Sequence, residues 1–224
     1  MEKNKLKAVI FDLDGVITDS AKYHYSAWNT LAQELGIPFD EAYNEKLKGV
    51  SRMESLELIL QNGNACERFS LQEKEALAEK KNSIYQELIR QISPADILPG
   101  IADFLQELKA HQIKIALASV SRNAPFILGQ LGIEAMFDYV ADAAAVERAK
   151  PFPDLFLAGM HAFGLKPQEC IGVEDAKTGI EAIHRAGMKA VGVGTPTEMA
   201  EAELVVDTQK LRLGMILEEM QMEV

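Results

Sequence analysis

The sequence predicts an α/β protein: a doubly wound parallel sheet interrupted by an inserted helical block. Three observations carry this. Ala8-Val9-Ile10-Phe11 is an unbroken apolar run, the pattern of a strand buried on both faces, and Asp12-Leu13-Asp14-Gly15 follows it at once. Residues 19–95 then hold helical patterns and no convincing strand. From residue 96 onward strand and helix patterns alternate, which implies right-handed crossovers and a parallel sheet.

Taken in order, Tyr23, Trp28, Leu31 and Leu35 fall near helical spacing, and Gly36 ends that helix. Asp40 to Leu47 reads as a second, short helix. A third opens at Ser51 and runs to about Gln61. Ser70 with Glu73 three residues on is a capping-box pattern, and the helix behind it is expected to reach roughly Ile92. Pro94, Pro99 and Gly100 break the helical pattern. Helices are then expected over 101–111, 122–131, 153–163, 176–186 and 211–220. Strands are expected over 113–118, 137–140, 170–173 and 189–193, with an edge strand at 204–206. The domain assignment is therefore 1–18 with 96–224 as a Rossmann-like α/β core, and 19–95 as a helical cap domain. Two chain segments join the cap to the core, so it is expected to hinge over the end of the first strand as a lid.

Composition narrows the function. The chain has 224 residues, 48% hydrophobic and 25% charged, the balance of an ordinary globular protein. A net charge of -11 argues against nucleic acid or an anionic membrane as partner, and any phosphate site must be built locally. No apolar signal segment or bilayer-spanning run is visible. Cys66 and Cys170 lack metal-ligand spacing and read as reduced thiols. The expectation is a cytoplasmic monomer acting on a small molecule.

Four groups follow four strands, and in a parallel sheet those strand ends share one rim. They are Asp12 with Asp14, Ser119-Val120-Ser121-Arg122-Asn123, Lys150-Pro151, and Glu174-Asp175. Residues two apart on an extended chain point the same way, so Asp12 and Asp14 aim together while Leu13 turns to the core. Each residue type has a role in phosphoryl transfer. A carboxylate can attack phosphorus, and Asp12 is the candidate nucleophile. Asp14 is the candidate general acid and base for a substrate hydroxyl. Mg²⁺ takes carboxylate and phosphate oxygens; its candidate ligands are Asp12, Asp14, Glu174 and Asp175, with Asp12 and Asp175 the natural pair. Ser119, expected to open a helix, offers a hydroxyl and nearby N–H groups to phosphate oxygens. Lys150 supplies a fixed positive charge. Taken singly, Ser119 reads as a helix cap, Lys150 as a solvated lysine and Glu174-Asp175 as a cap of the next helix. Those separate readings do not account for all four in this order.

Phe11-Asp12-Leu13-Asp14-Gly15, Ala118-Ser119, Lys150-Pro151 and Gly172-Val173-Glu174-Asp175 resemble the four motifs of the haloacid dehalogenase-like superfamily, over essentially the whole chain. Within it, several stretches resemble the β-phosphoglucomutase family. These are Asp14 to Ser20 with His24, Leu47 to Arg52, Lys80-Lys81-Asn82 and Ala118 to Asn123. The resemblance implies a cycle. Phosphorylated Asp12 gives its phosphate to the 6-hydroxyl of β-glucose 1-phosphate. The 1,6-bisphosphate turns around and returns its 1-phosphate to Asp12, leaving glucose 6-phosphate. Glucose 1,6-bisphosphate would also serve as the phosphorylating activator. The same match implies that Arg52, Ser121 and Asn123 hold the distal phosphate. Lys48, Gly49, Val50, Ser55 and Lys81 would line the cap side, His24 would assist Asp14 from the hinge region, and Ser51, Val120 and Arg122 complete the set. On residue type alone, His24 reads as a helix-surface histidine.

The chain departs from that pattern at three places. Ser20 stands where threonine is common and keeps the hydroxyl. Phe152 stands between two prolines where a small residue is usual, and is expected to alter packing behind Lys150. Ala176 stands where a hydroxyl residue is frequent, so one supporting hydrogen bond is expected to be missing. Two other functions remain open at this point: an Mg²⁺-dependent sugar-phosphate phosphatase on the same scaffold, and an aspartate-phosphorylated signalling module. The second is disfavoured, because such modules are shorter and lack a helical insertion.

Overall fold

A computed structural model of the chain describes residues 4–47 and 49–224. It divides into two compact units, Met1–Asp19 with Ser93–Val224, and Ser20–Ile92. The first unit begins with a short strand β1 (Asn4–Lys5) and continues into β2 (Ala8–Phe11), whose four residues are all buried. The chain then turns through Asp14 to Thr18, where the Gly15 N–H donates to the Thr18 carbonyl at 2.8 Å.

The second unit is helical. Helix α1 (Ala21–Leu35) ends on Gly36, whose left-handed φ of 70° lets its N–H reach back to the carbonyls of Ala32 and Gln33. Helix α2 (Glu41–Asn44) is started by Asp40, whose carboxylate accepts the Tyr43 N–H, and it tightens into a 3₁₀ turn over Glu45–Leu47. Helix α3 (Arg52–Asn62) carries a complete capping box of Ser51 and Glu54. Helix α4 (Leu71–Ile89) carries the one expected from Ser70 and Glu73. It stops at Ile89, three residues short of the expected end. The unit's core is built from one face of each long helix: Trp28, Leu31 and Ala32 of α1, Leu56, Ile59 and Leu60 of α3, and Ala78 of α4. No strand occurs among its described residues.

The chain returns to the first unit beside the point where it left. Thr18 bridges Ile97, its hydroxyl donates to the Asp96 carbonyl at 2.7 Å, and Leu98 N–H donates to the Ile17 carbonyl. Strand-helix alternation resumes there: α5 (Ile101–Ala110), β3 (Lys114–Leu117), α6 (Ala124–Leu131), β4 (Tyr139–Val140), α7 (Asp154–Ala162), β5 (Cys170–Glu174), α8 (Lys177–Arg185), β6 (Lys189–Val193), β7 (Leu204–Val206), α9 (Leu213–Glu219) and β8 (Met222–Glu223). The main sheet has the order β4-β3-β2-β5-β6-β7, all neighbours parallel. It is the doubly wound α/β sheet that the alternation implied. Strand β2 sits in its interior between β3 and β5, which explains its unbroken apolar run: both faces are covered by helices. Phe11 packs edge-on against Phe104 of α5 with centroids 5.9 Å apart. β1 and β8 pair in a separate parallel ribbon, which two-residue strands do not announce in sequence. No described helix is long and apolar enough to cross a membrane.

Candidate active site

The order of strands reverses at β2: β3 lies on one side of it and β5 on the other. The crevice beyond the carboxyl end of such a strand is where open α/β sheets seat ligands. Asp12 stands at that end and is 7% exposed, and its backbone N–H still donates to the Val173 carbonyl of β5. One carboxylate of the next strand is therefore held in register beside it. The acidic group consists of Asp12, Glu174 and Asp175, with one carboxylate oxygen from each all within 4.8 Å of one another. Asp14, two residues on and half-buried, is not one of those three.

Two glycines make room for this convergence. A Cβ on Gly15 would lie 2.0 Å from Asp175 Oδ2, and Gly15 adopts a φ of +76°. Either alone selects glycine there. A Cβ on Gly179, in the first turn of α8, would lie 1.9 Å from Glu174 Oε1. Gly179 was not anticipated, although a glycine inside a helix costs about 1 kcal/mol and marks a close approach. Glu174 is further fixed by the Ala176 backbone N–H, which donates to its Oε2 at 2.8 Å. A backbone bond thus stands where the departure at Ala176 led us to expect a missing side-chain one.

Lys150 reaches this group from the loop before α7. Its Nζ donates to Asp12 Oδ1 and to Glu174 Oε1, and it is 4% exposed. The Phe156 ring of α7 lies beneath it, 5.2 Å from ring centre to Nζ. Burial opposes the ammonium charge, but Asp12 and Glu174 more than offset that and hold Lys150 above the ordinary lysine range. Burial also pushes the Asp12 carboxyl up to about 7. Lys150 pulls it down, while Glu174 and Asp14 add to the rise. Three carboxylates facing one ammonium leave uncompensated negative charge on hard oxygen donors. This donor set fits Mg²⁺, and Asp12, Glu174 and Asp175 are the residues that would hold it.

The Ser119 loop follows β3, and here the structure corrects the sequence reading. Ser119 does not open a helix; α6 starts at Ala124, five residues later. Ser119 is instead the anchor of a tight loop. Its Oγ accepts the Ser121 N–H at 3.1 Å, and Ser121 Oγ accepts the Asn123 N–H at 3.3 Å. Ser119, Ser121 and Asn123 are all buried. An Oγ that accepts from backbone keeps its own proton to donate. Val120 is half-buried and Arg122 is exposed.

The residues expected on the cap side lie in the helical unit. Lys48 is outside the described residues. Gly49, in the loop before α3, has a φ of +71°, Val50 N–H donates to the Leu47 carbonyl, and Ser51 caps α3. Ser55 is buried. Arg52 is the first residue of α3 and pairs with Glu79 of α4 at 3.0 Å. His24 is not the helix-surface histidine that residue type alone indicated. Its ring stacks on Tyr85 with centroids 3.9 Å apart, and its Nδ1 lies 2.7 Å from Lys81 Nζ. Lys81 is buried, with its Nζ 4.7 Å from the ring centres of both Trp28 and Tyr85. Tyr85 went unanticipated, though its spacing of four from Lys81 places it one helical turn on.

Burial, Lys81 and Arg52 together hold the His24 imidazole well below its ordinary value of 6.5. A neutral ring matches the geometry, since only an unprotonated Nδ1 accepts from an ammonium. The unfolded chain takes up a proton as pH falls through 6.5 while the folded one does not. His24's own contribution to stability is therefore expected to be lost as pH drops below 6.5, against the gain that protonation of Asp12 brings in the same range, so it is read as the difference between the parent and a His24 variant. In denaturant titrations between pH 7 and 5, His24→Gln should gain stability relative to the parent as pH falls, because the variant lacks the proton uptake that His24 adds on unfolding. A parent-minus-variant stability difference that does not change with pH, or an imidazole seen by NMR to titrate near 6.5, would contradict a neutral His24.

The fold and this rim define a doubly wound α/β protein with a carboxylate-lysine centre built for anionic chemistry. Sequence comparison narrows the class: a model of the haloacid dehalogenase-like hydrolase family matches residues 6–187, and the chain belongs to that family. It is 49% identical to the β-phosphoglucomutase of Bacillus subtilis (strain 168), over 96% of this chain and 95% of that protein. It is 29% identical to a phosphorylated carbohydrates phosphatase of Thermotoga maritima, over 83% of this chain and 84% of that one. A crystal structure of β-phosphoglucomutase from Clostridium difficile superposes with a TM-score of 0.94 at 49% identity, covering 96% of this chain and 97% of that one.

Proposed function

We propose that the chain is a phosphomutase, an isomerase that interconverts β-glucose 1-phosphate and glucose 6-phosphate through phosphorylated Asp12. The observation that carries the reading is the placement of Asp12. It ends the interior strand, with an ammonium on one oxygen and two further carboxylates beside it. The 49% identity to a β-phosphoglucomutase across nearly the whole chain favours mutase over phosphatase.

In one half of the cycle, Asp12 Oδ attacks the phosphorus of a bound sugar bisphosphate. The bond from phosphorus to the sugar oxygen breaks, and Asp14 gives that oxygen a proton. In the other half, the sugar hydroxyl attacks the phosphorus of the aspartyl phosphate while Asp14 takes its proton, and the bond from phosphorus to Asp12 breaks to restore the free carboxylate. Lys150 balances the charge that builds on the transferring oxygens, and the Ser119 hydroxyl and the N–H groups of its loop orient them. Mg²⁺, when bound, would neutralise phosphate charge. Arg52, with Ser121 and Asn123, grips the phosphate that is not reacting, while His24, Gly49, Val50, Ser51, Ser55, Lys81, Val120 and Arg122 shape the sugar site. Glucose 1,6-bisphosphate is the activator that first phosphorylates Asp12.

The deciding experiment is ³¹P NMR of β-glucose 1-phosphate with the protein, Mg²⁺ and a trace of the bisphosphate. Isomerisation to glucose 6-phosphate is expected; free phosphate as the main product would establish the phosphatase instead. The metal assignment has its own test. Calorimetric Mg²⁺ affinity should weaken about tenfold or more in Asp175→Asn, a loss at least as large as that from removing an outer-sphere partner. Unchanged affinity would remove Asp175 from the ligand set.

A further inference from the structure

The ring that lies beneath the Lys150 ammonium is Phe156, and Phe152, which was expected to alter packing behind Lys150, has other partners. Phe152 is 40% exposed, and two guanidinium groups lie over its ring. Arg148 Cζ is 4.5 Å from the ring centre and Arg185 Cζ is 5.3 Å away. Both distances are within cation-π range. Each guanidinium is tied down in turn. Arg148 makes two bonds to Asp154, at the start of α7, of 3.3 and 3.1 Å. Arg185, the last residue of α8, pairs with Glu181 one turn back and donates to the Pro151 carbonyl at 3.3 Å. Phe152 N–H closes the intervening turn on the Ala149 carbonyl at 3.0 Å.

Residues 148–152 form the turn that carries Lys150. A lysine stem is flexible, so where its ammonium sits depends on how firmly its backbone is held. Inside, Lys150 is held by Asp12 and Glu174. Outside, the turn is fastened to α7 through Arg148 and to α8 through Arg185, and Phe152 is the surface both arginines share. Helix α8 begins two residues after Asp175, so the same fastening ties the lysine loop to the helix that follows the acidic pair.

We propose that Phe152, clasped by Arg148 and Arg185, is a positioning residue that holds the Lys150 ammonium against Asp12 and Glu174. The inference rests on the phosphoryl-transfer reading of Lys150, which it deepens. Phe152→Ala is expected to lower kcat about tenfold with KM for the sugar phosphate within twofold, since no substrate contact is lost. Phe152→Tyr, which keeps an aromatic face, should restore kcat. Arg185→Gln should lower kcat by a smaller factor, and should add little once Phe152 is alanine, because both changes open one clasp.

The substrate-independent readout is the ¹⁵N resonance of the Lys150 ammonium in the folded protein. It is expected to shift or broaden in Phe152→Ala and to return in Phe152→Tyr. A wild-type protein that fails to isomerise sugar phosphate counts against the proposed function, while this resonance still judges the clasp. Should Phe152→Ala not fold, Arg185→Gln carries the same comparison. An unmoved resonance with unchanged kcat, or a loss that Phe152→Tyr does not restore, would overturn the proposal.

Discussion

Asp12→Asn is expected to abolish phosphoryl transfer while leaving the protein folded. The amide keeps the shape of the carboxylate but offers no anionic oxygen to phosphorus. The expected loss is at least about 10⁴-fold in kcat, roughly 5.5 kcal/mol of transition-state stabilisation. Stability is expected to move the other way. In the metal-free protein, burial and the neighbouring carboxylates raise the Asp12 carboxyl to about 7, so its charge is a burden on the folded state above that pH. The sign is fixed by proton uptake: between the ordinary 3.8 and about 7 the folded state holds a proton that the unfolded state has lost, so the ionised carboxylate lowers stability as pH rises through that window. At pH 8 a neutral asparagine removes that burden, and Lys150 keeps Glu174 as its partner. Denaturant midpoints at pH 8 should be equal to or above the parent's. Substantial turnover in the purified variant, with deamidation excluded by mass spectrometry, would rule out an aspartyl phosphate.

Most of the core was legible because its signals are local. The apolar run Ala8–Phe11 can only be an interior strand, and the residues just past the end of an interior strand lie on the rim. Lys189–Val193 and the Ser70 capping box are likewise written in a few adjacent residues. The misses have a common cause, namely dependence on a distant partner. β1 and β8 are two residues each and exist only because they pair with one another across the length of the chain. Serine favours helix starts, which is why residue type alone puts Ser119 at one. Its hydroxyl instead closes a loop, and the helix starts later, at Ala124, with Pro125 in its first turn, a position proline tolerates. His24 sits on α1, and nothing within α1 shows that Lys81 and Tyr85 of α4 enclose it. Phe152 was visible as an anomaly, but Arg185 stands 33 positions away, and only the fold brings that guanidinium over the ring. The glycines show a mixed case: Gly15 was visible as the bend after Asp14, whereas the reason for Gly179 inside a helix appears only once Glu174 is seen to occupy the space its side chain would take.

Arg52→Ala is expected to separate mutase from phosphatase. Arg52 opens α3 in the helical unit, and there it forms an ion pair with the well-exposed Glu79. Glu79 is well exposed, so its pair with Arg52 contributes about 0–1 kcal/mol and competes only weakly with a phosphate for the guanidinium. A guanidinium can give a phosphate two parallel hydrogen bonds, a geometry an ammonium does not reproduce. A mutase must hold a bisphosphate in both orientations, so it needs a grip on whichever phosphate is idle. Hydrolysis of a monophosphate has no such requirement. Arg52→Ala is therefore expected to cut mutase kcat/KM roughly 100-fold or more, at about 1.4 kcal/mol per factor of ten. Turnover of acetyl phosphate, which has no distal phosphate, should change only a few-fold. Arg52→Lys tests the fork itself and should recover only part of the loss. If both activities fell together, Arg52 would act on the fold or on the reacting phosphate. If neither fell, it would be a surface residue, and the phosphatase reading would take the place of the mutase.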